Sequence, residues 1–352
     1  MIITRRQLAA ATAGGALAMP WIRPAGAQER AITFAAYSGI FEENYRAAVV
    51  EPFMKAHPGI KVNYYSAASS AATLGMLRAQ KAAPQVDVAV LDVTLAKAGT
   101  DEGLFEPIDA TKVPALSQLS PMAIQPGVAG AALTFDNLVL LFSPDVVKPA
   151  PTSWKVLWDK TYAGQIATAG VPDIIGVSTV LMANKINGGD YRQGTEKGIA
   201  AVADMAPGVL TWDPKPDAYS FIINGQAALA VGWNARGQIY AGGSGGKLGV
   251  VLPDEGSLFQ INMVEAIKGG KQPEAVRIFL NYILGIEAQT AFTNRMFYAP
   301  TNAQAKPSDE ALAKTAASPE RMARMLDVDW MEVAKIRDGI GEQWRRRVLT
   351  RR

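Results

Sequence analysis

Arg30-Ala31-Ile32-Thr33-Phe34-Ala35-Ala36-Tyr37, Ile60-Lys61-Val62-Asn63-Tyr64-Tyr65 and Val86-Asp87-Val88-Ala89-Val90-Leu91 read as three short strands. Apolar residues recur at helical spacing between the first two, at Phe41, Tyr45, Val49 and Phe53. Pro58-Gly59 marks a turn, and the segment Ser66-Ala67-Ala68-Ser69-Ser70 leads into a helix expected from Ala71 to Gln80. The third strand exits through Asp92-Val93-Thr94 into a short helix, Leu95 to Glu102. Strands alternating with helices imply an α/β architecture with a parallel sheet covered on both faces. In such sheets ligands sit outside the carboxyl ends of the strands, where loops and helix N-termini offer backbone N–H groups. Tyr37-Ser38, Ser66 to Ser70 and Asp92 to Thr94 are those loops. Their serines, threonine and aspartate suit ligand contact and suit helix N-caps equally well.

Working outward, Val128 to Phe142 is an apolar run too long for one simple strand, and it suits a strand that leaves one domain and enters another. A second α/β series follows. Trp154 to Trp158 begins a helix, Ile166 to Ala169 is a strand, Gly170-Val171-Pro172-Asp173 is its loop, Gly176 to Ile186 is a helix and Ala227 to Trp233 is a strand. The chain returns through Leu248 to Pro253 and Phe259 to Ala266, then closes with helices from Pro273 to Thr290 and from Asp309 onward.

The 352 residues, 49% hydrophobic and 19% charged, suffice for two packed domains. The absence of cysteine excludes thiol nucleophiles, disulfide frameworks and Cys-based metal sites, and His57 as the one histidine argues against His-triad catalysis and multi-His metal centres. Neither a metal nor any other cofactor is expected. The formal charge of +3 is contributed by Arg5, Arg6 and Arg23, so the chain from Gln28 onward balances to neutrality and offers no basic face for nucleic acid. Residues 1–27 read as a cleavable export signal. They have a basic start, an apolar stretch from Leu8 to Met19, and Ala25-Gly26-Ala27 ahead of Gln28. The Arg5-Arg6 pair resembles a twin-arginine signal, the alternative being an ordinary secretory signal that begins with two arginines. No other stretch is long and apolar enough to span a membrane. The expected location is the periplasm.

The order of short motifs resembles the periplasmic solute-binding proteins of ABC importers, in the branch with polyamine, thiamine and ferric-iron receptors. Phe53-Met54-Lys55-Ala56-His57-Pro58-Gly59-Ile60-Lys61-Val62, Val86 to Val90 and Gly103-Leu104-Phe105-Glu106-Pro107-Ile108-Asp109 carry the first part of that resemblance. Pro151-Thr152-Ser153-Trp154-Lys155-Val156-Leu157-Trp158, Tyr162-Ala163-Gly164-Gln165-Ile166, Pro273 to Leu284 and Tyr298-Ala299-Pro300-Thr301-Asn302 carry the rest. The resemblance implies a type II two-lobed fold, with the solute enclosed between lobes joined by two crossovers. These fall near Thr134 to Asn137 and near Pro253 to Asn262. It places residues 28–134 plus 259–300 in one lobe and 135–258 plus 301–344 in the other, with a basic tail at 345–352. It further implies a monomer that captures a small solute by hinge closure and delivers it to membrane permease subunits, without enzymatic turnover.

Carried over position by position, Trp233 falls on an aromatic wall of the polyamine receptors and Tyr298 on a cleft tyrosine. Where those receptors have Trp and Asp, this chain has Gln260 and Asn262, which weakens a strictly polyamine assignment. Asp92 and Asp173 are the carboxylates expected to face an ammonium group from opposite lobes, or else to cap the helices that follow. With Tyr37, Ser38, Ser69, Thr94 and Asn234 they complete the expected ligand-binding set. Arg236 is expected at the solvated surface, able at most to meet a carboxylate or phosphate, and the arginine-rich tail is expected as a frayed helix end. The leading reading is a receptor for an amine- or nitrogen-containing, polyamine-like solute. A secreted enzyme using Asp92 and Asp173 as acid and base, and a sensor partner that presents ligand to a membrane receptor, are the competing readings.

Overall fold

The computed structural model describes residues 30–351, so the export-signal reading of 1–27 lies outside the described residues. Chain order is β1 (Arg30–Tyr37), α1 (Ile40–Tyr45), α2 (Glu51–Ala56), β2 (Ile60–Ala67), α3 (Ser70–Ala79), β3 (Val88–Asp92), α4 (Val93–Asp101), β4 (Phe105–Glu106) and β5 (Ala131–Phe142). It continues with β6 (Ile166–Ala167), α5 (Ile174–Ile186), α6 (Glu196–Met205), β7 (Val209–Thr211), α7 (Ala218–Ile223), β8 (Leu229–Trp233), α8 (Asn234–Gly243) and β9 (Gly249–Val251). The last elements are β10 (Phe259–Ile267), α9 (Pro273–Ile283), α10 (Ile286–Met296), β11 (Ala299–Pro300), α11 (Asp309–Ala313), α12 (Pro319–Met322) and α13 (Trp330–Arg347).

Strand order is β2-β1-β3-β10-β5-β8-β6-β7. β2, β1 and β3 are parallel, as are β8, β6 and β7, and each triplet meets an antiparallel strand in the middle. The sheet is therefore mixed where the alternation of strands and helices predicts parallel, because β5 and β10 run between the triplets instead of belonging to a strand–helix–strand unit.

β5 explains the long apolar run. All twelve of its residues are buried, as strands covered on both faces require. Its first part pairs with β10, in register Asn137 with Phe259, and its second part pairs with β8, in register Leu138 with Trp233. One strand thus serves two sheets, and the change of partner falls between Asn137 and Leu138. The return follows β9, which still pairs with the distal part of β5, and precedes β10, which pairs with β3 and the proximal part.

Three apolar clusters hold the fold. One packs α1, α9 and α10 on the β1–β3 side through edge-to-face and stacked rings of Phe34, Phe41, Tyr45, Phe279, Phe292 and Tyr298. On α9 the buried residues Ala275, Val276, Phe279, Leu280 and Ile283 form the stripe that a 3.6-residue period predicts. Each fully buried Phe contributes about 1.5–3 kcal/mol of transfer free energy. A second cluster lies under α7 around Tyr219 and Ile222. The third runs along the opposite face past both parts of β5, from Leu74 and Leu91 to Val177 and Ile199, and α13 adds Val333, Ile340 and Trp344 to it. α13 is a regular helix through Arg347, and Arg351 pairs with Asp204, where a frayed end is expected. His57, expected in solvent, is half-buried with its ring 4.8 Å from that of Phe53. The Pro273 to Thr290 helix is two helices, broken at Leu284-Gly285.

Candidate functional site

A cavity of about 490 Å³ is lined by residues from the β1–β3 side and from the β6–β8 side, and β5, which joins the two sides, contributes none of its lining. Its size lies within the range of roughly 300–1,000 Å³ typical of small-molecule sites. From the β1–β3 side come Tyr37, Ser69, Asp92, Gln260 and Tyr298; from the β6–β8 side come Asp173, Trp212, Trp233 and Arg236, with Arg337 of α13 between them. The segment Trp212 to Asp217 forms part of the rim, with an exposed Lys215–Asp213 pair at 2.8 Å.

Each wall residue is held by the element that carries it. Tyr37 ends β1, and the proton count around its hydroxyl fixes a direction. Tyr37 donates its hydroxyl hydrogen to Asn262 Oδ1 at 2.9 Å, so Ser70 Oγ, also at 2.9 Å, donates to Tyr37 and in turn accepts the Asp92 N–H at 2.8 Å. Asn262 Nδ2 then donates to Thr134 Oγ1 at 2.9 Å. The chain of bonds crosses β3, β1, β10 and β5 and locks the Tyr37 ring, and burial raises the pKa of its hydroxyl. Asn262 and Thr134 stand behind the wall; neither lines the cavity. Tyr298 is fixed by ring contacts, 5.6 Å from Phe41 and 5.5 Å from Phe292, and burial pushes its hydroxyl up to about 12. Trp233 is fixed through its backbone: Tyr219 Oη accepts its N–H at 2.7 Å and donates to its carbonyl at 3.0 Å.

Both aspartates are helix caps. Asp92 Oδ1 accepts the Leu95 N–H at 3.2 Å at the start of α4, and Asp173 Oδ1 accepts the Ile175 N–H at 2.8 Å at the start of α5. Both also line the cavity. Asp92 is not free, however. Arg337 Nη1 donates to its Oδ1 at 2.9 Å and also to Thr94 Oγ1, while Nη2 donates to the Pro172 carbonyl at 2.8 Å. Thr94 is thereby spent on this cluster and lies outside the lining. Burial raises the pKa of Asp173, and the Asp92 charge adds to the effect.

Ser69 lines the cavity and caps α3 through the Ala72 N–H. Ser38 is half-buried outside the lining, with its N–H on the Ala67 carbonyl. Asn234 is buried in a different contact, donating to the Lys314 carbonyl at 2.7 Å and accepting from Arg321 at 2.8 Å. Arg236 is not at the solvated surface: it sits in the first turn of α8, lines the cavity, and its guanidinium carbon lies 6.0 Å from the Tyr37 ring centre. Arg337, Trp212 and Tyr219 are lining residues that the sequence reading did not single out.

Four lining side chains carry a buried polar atom with no protein hydrogen-bond partner: Asp92 Oδ2, Gln260 Oε1, Trp212 Nε1 and Arg236 Nε. Buried polar groups are almost always paired. Two acceptors and two donors left over in one enclosed space define a place for a small molecule that offers the complementary groups. No group of three or more His, Asp or Glu side chains converges as metal ligands would, among the described residues.

A mixed α/β fold whose halves share β5, with such a cavity at their junction, defines a solute-binding receptor. The family model for bacterial extracellular solute-binding proteins matches residues 48–322, and the chain belongs to that family. A spermidine/putrescine-binding periplasmic protein of Haemophilus influenzae is 24% identical over 258 residues, 70% of each chain. The periplasmic binding protein MotA of A. tumefaciens B6, in complex with glucopine, superposes with a TM-score of 0.77 at 21% identity, covering 89% of this chain and 98% of that one. An ABC transporter substrate-binding protein of Bradyrhizobium japonicum also gives 0.77, at 20% identity, covering 90% and 99%. The two-lobed type II fold is thus common to this chain and to receptors of ABC importers. These are binding proteins rather than enzymes, and they deliver small solutes to permease subunits. No helix among the described residues is long and apolar enough to cross a membrane.

Proposed function

We propose that this chain is the periplasmic receptor of an ABC importer for a small nitrogen-containing solute, held in the cavity between the lobes and enclosed by hinge closure. The observation that carries the reading is the set of unpartnered polar atoms on the cavity wall. Asp92 Oδ2 and Gln260 Oε1 are acceptors, and an ammonium or amide nitrogen supplies the donors they lack. Trp233, Tyr37 and Tyr298 add aromatic surface suited to a methylene chain or a cationic head. The spermidine/putrescine relative makes polyamines the first amines to examine, although Gln260 and Asn262 stand where the polyamine receptors this sequence resembles carry a tryptophan and an acid.

On this reading the lobes comprise 28–134 plus 259–300 and 135–258 plus 301–344, with 345–352 as a basic tail. The change of strand partner at Asn137/Leu138 supports a hinge there. Residues 1–27 serve as the export signal, with Arg5-Arg6 favouring the twin-arginine route, and the receptor acts as a monomer.

Isothermal titration of the purified protein with putrescine, spermidine, α-amino acids and ω-amino acids tests the solute class. One nitrogen-containing solute is expected to bind at one site per chain and to be weakened by Trp233→Ala and by Asp92→Ala. Binding confined to solutes without nitrogen, or chemical turnover of any of them, overturns the reading.

A further inference from the structure

We infer that Arg236 is an oxyanion subsite, and that the solute carries a carboxylate or phosphoryl group at the end opposite its nitrogen. This rests on the cavity being the solute site and deepens that reading.

The two guanidinium groups of the cavity stand in different situations. Arg337 is consumed: its nitrogens go to Asp92, Thr94 and the Pro172 carbonyl. Arg236 has no carboxylate within salt-bridge distance among the described residues, and its Nε is buried without any hydrogen-bond partner. A guanidinium stays charged throughout the physiological range, so this is a fixed positive charge held among the aromatic rings of Tyr37, Tyr219 and Tyr298. The nearest acid on the crossover, Asp136, is already committed, accepting the Ala235 N–H at 3.1 Å on both oxygens and the Asn137 N–H at 2.8 Å.

A largely enclosed charge whose polar company is neutral, the Tyr298 hydroxyl included, is costly unless a counter-ion arrives. A planar oxyanion is the partner whose geometry matches the guanidinium fork. Trp212 Nε1 is a second donor on the same wall without a protein acceptor. The acceptors Asp92 Oδ2 and Gln260 Oε1 come from the other wall. The unpartnered buried donors and the unpartnered buried acceptors therefore lie on different walls, with Asp173 a cap-bound acid on the donor side, an arrangement that suits a solute with one cationic and one anionic end. A simple diamine leaves Arg236 without a partner and facing a like charge.

The test compares 1,4-diaminobutane, 4-aminobutanoate, 3-aminopropylphosphonate, a set of α-amino acids, and glutarate as a nitrogen-free diacid, by titration calorimetry. The tightest binder is expected to be an amino carboxylate or amino phosphonate, and which of the two wins distinguishes the sources of the oxyanion. Arg236→Gln is expected to weaken it at least about tenfold, in line with loss of a charge-assisted bond, and Arg236→Lys to recover part of that loss. Circular-dichroism melts establish that both variants are folded. The inference is overturned if the diamine binds and the amino acids do not, an outcome that leaves the nitrogen reading standing. It is equally overturned if no oxyanion-bearing solute binds, or if a folded Arg236→Gln protein keeps wild-type affinity. Glutarate binding to the exclusion of all amines supports the Arg236 subsite while refuting the nitrogen reading.

Discussion

Arg337 offers a quantitative test of how the cavity is built. Its guanidinium and the Asp92 carboxylate are 9% and 2% exposed and 2.9 Å apart. Their attraction at an effective dielectric near 20 is about 6 kcal/mol, but desolvating the two ions costs several kcal/mol each. The intact pair is therefore of little net value against an apolar replacement, whereas removing one member strands the other. Arg337→Met is expected to destabilise by about 3–5 kcal/mol, the range for breaking a buried pair. Asp92→Asn keeps an oxygen for the Leu95 N–H, since Asn is as good an N-cap as Asp, so its cost measures the lost charge alone. The double variant Asp92→Asn/Arg337→Met leaves no stranded charge and is expected to cost clearly less than the sum of the two singles, by about 2–3 kcal/mol. Urea unfolding of the four proteins gives these values directly. Single variants each within about 1 kcal/mol of wild type, or a strictly additive double variant, refute the buried pair. Because Arg337 also holds the Pro172 carbonyl on the opposite wall, the same substitution is expected to weaken solute binding.

Tyr219→Phe leaves the Trp233 N–H and carbonyl without their hydroxyl partner; unfolding is expected to become easier by about 1–3 kcal/mol, with a red-shifted or broadened tryptophan emission reporting a looser Trp233. Gly176 lies in the first turn of α5, where a Cβ would collide with the backbone of Gly170 and Val171 in the cavity lining. Gly176→Ala is therefore expected to cost about 1–3 kcal/mol or more in stability and to lower affinity together with it, and wild-type values in both melts and titrations contradict that contact. Burial pushes the Asp136 carboxyl up to about 7, well above its unfolded value, so its contribution to stability is present below about pH 4 and is lost as the pH rises towards 7. Asp136→Asn is expected to remove that component, of the order of 2–4 kcal/mol across the window, and an unchanged pH–stability slope in the variant counts against it.

The parts of the fold that were legible are those in which local pattern and burial agree. β1, β2 and β3 are apolar or alternating segments at regular spacing, and the helices after β2 and β3 start at a serine and an aspartate cap. β5 betrayed its double role by length, since twelve consecutive buried positions exceed what one sheet needs. The mixed strand order was not legible, because antiparallel pairing of β5 with β10 joins residues more than a hundred positions apart. α6 and α7 lie in a stretch with weaker punctuation, and the sequence reading passed over them.

In the site, Tyr37, Ser69, Asp92, Asp173, Trp233, Gln260 and Tyr298 come together on one cavity. Asp92 and Asp173 could not be assigned to cap or wall beforehand because each is both. Arg236 looked like surface because charge ordinarily means exposure; only the register of Leu138 with Trp233 turns the first turn of α8 towards the cavity. Arg337 reaches Asp92 from 245 residues away, which no local pattern encodes.

Small-angle X-ray scattering with and without a saturating amount of the tightest-binding solute tests the receptor account most directly. A reduced radius of gyration at one solute per chain, with the solute recovered chemically unchanged, is the predicted result. Saturated binding with no change in the scattering curve, or recovery of a converted product, contradicts it.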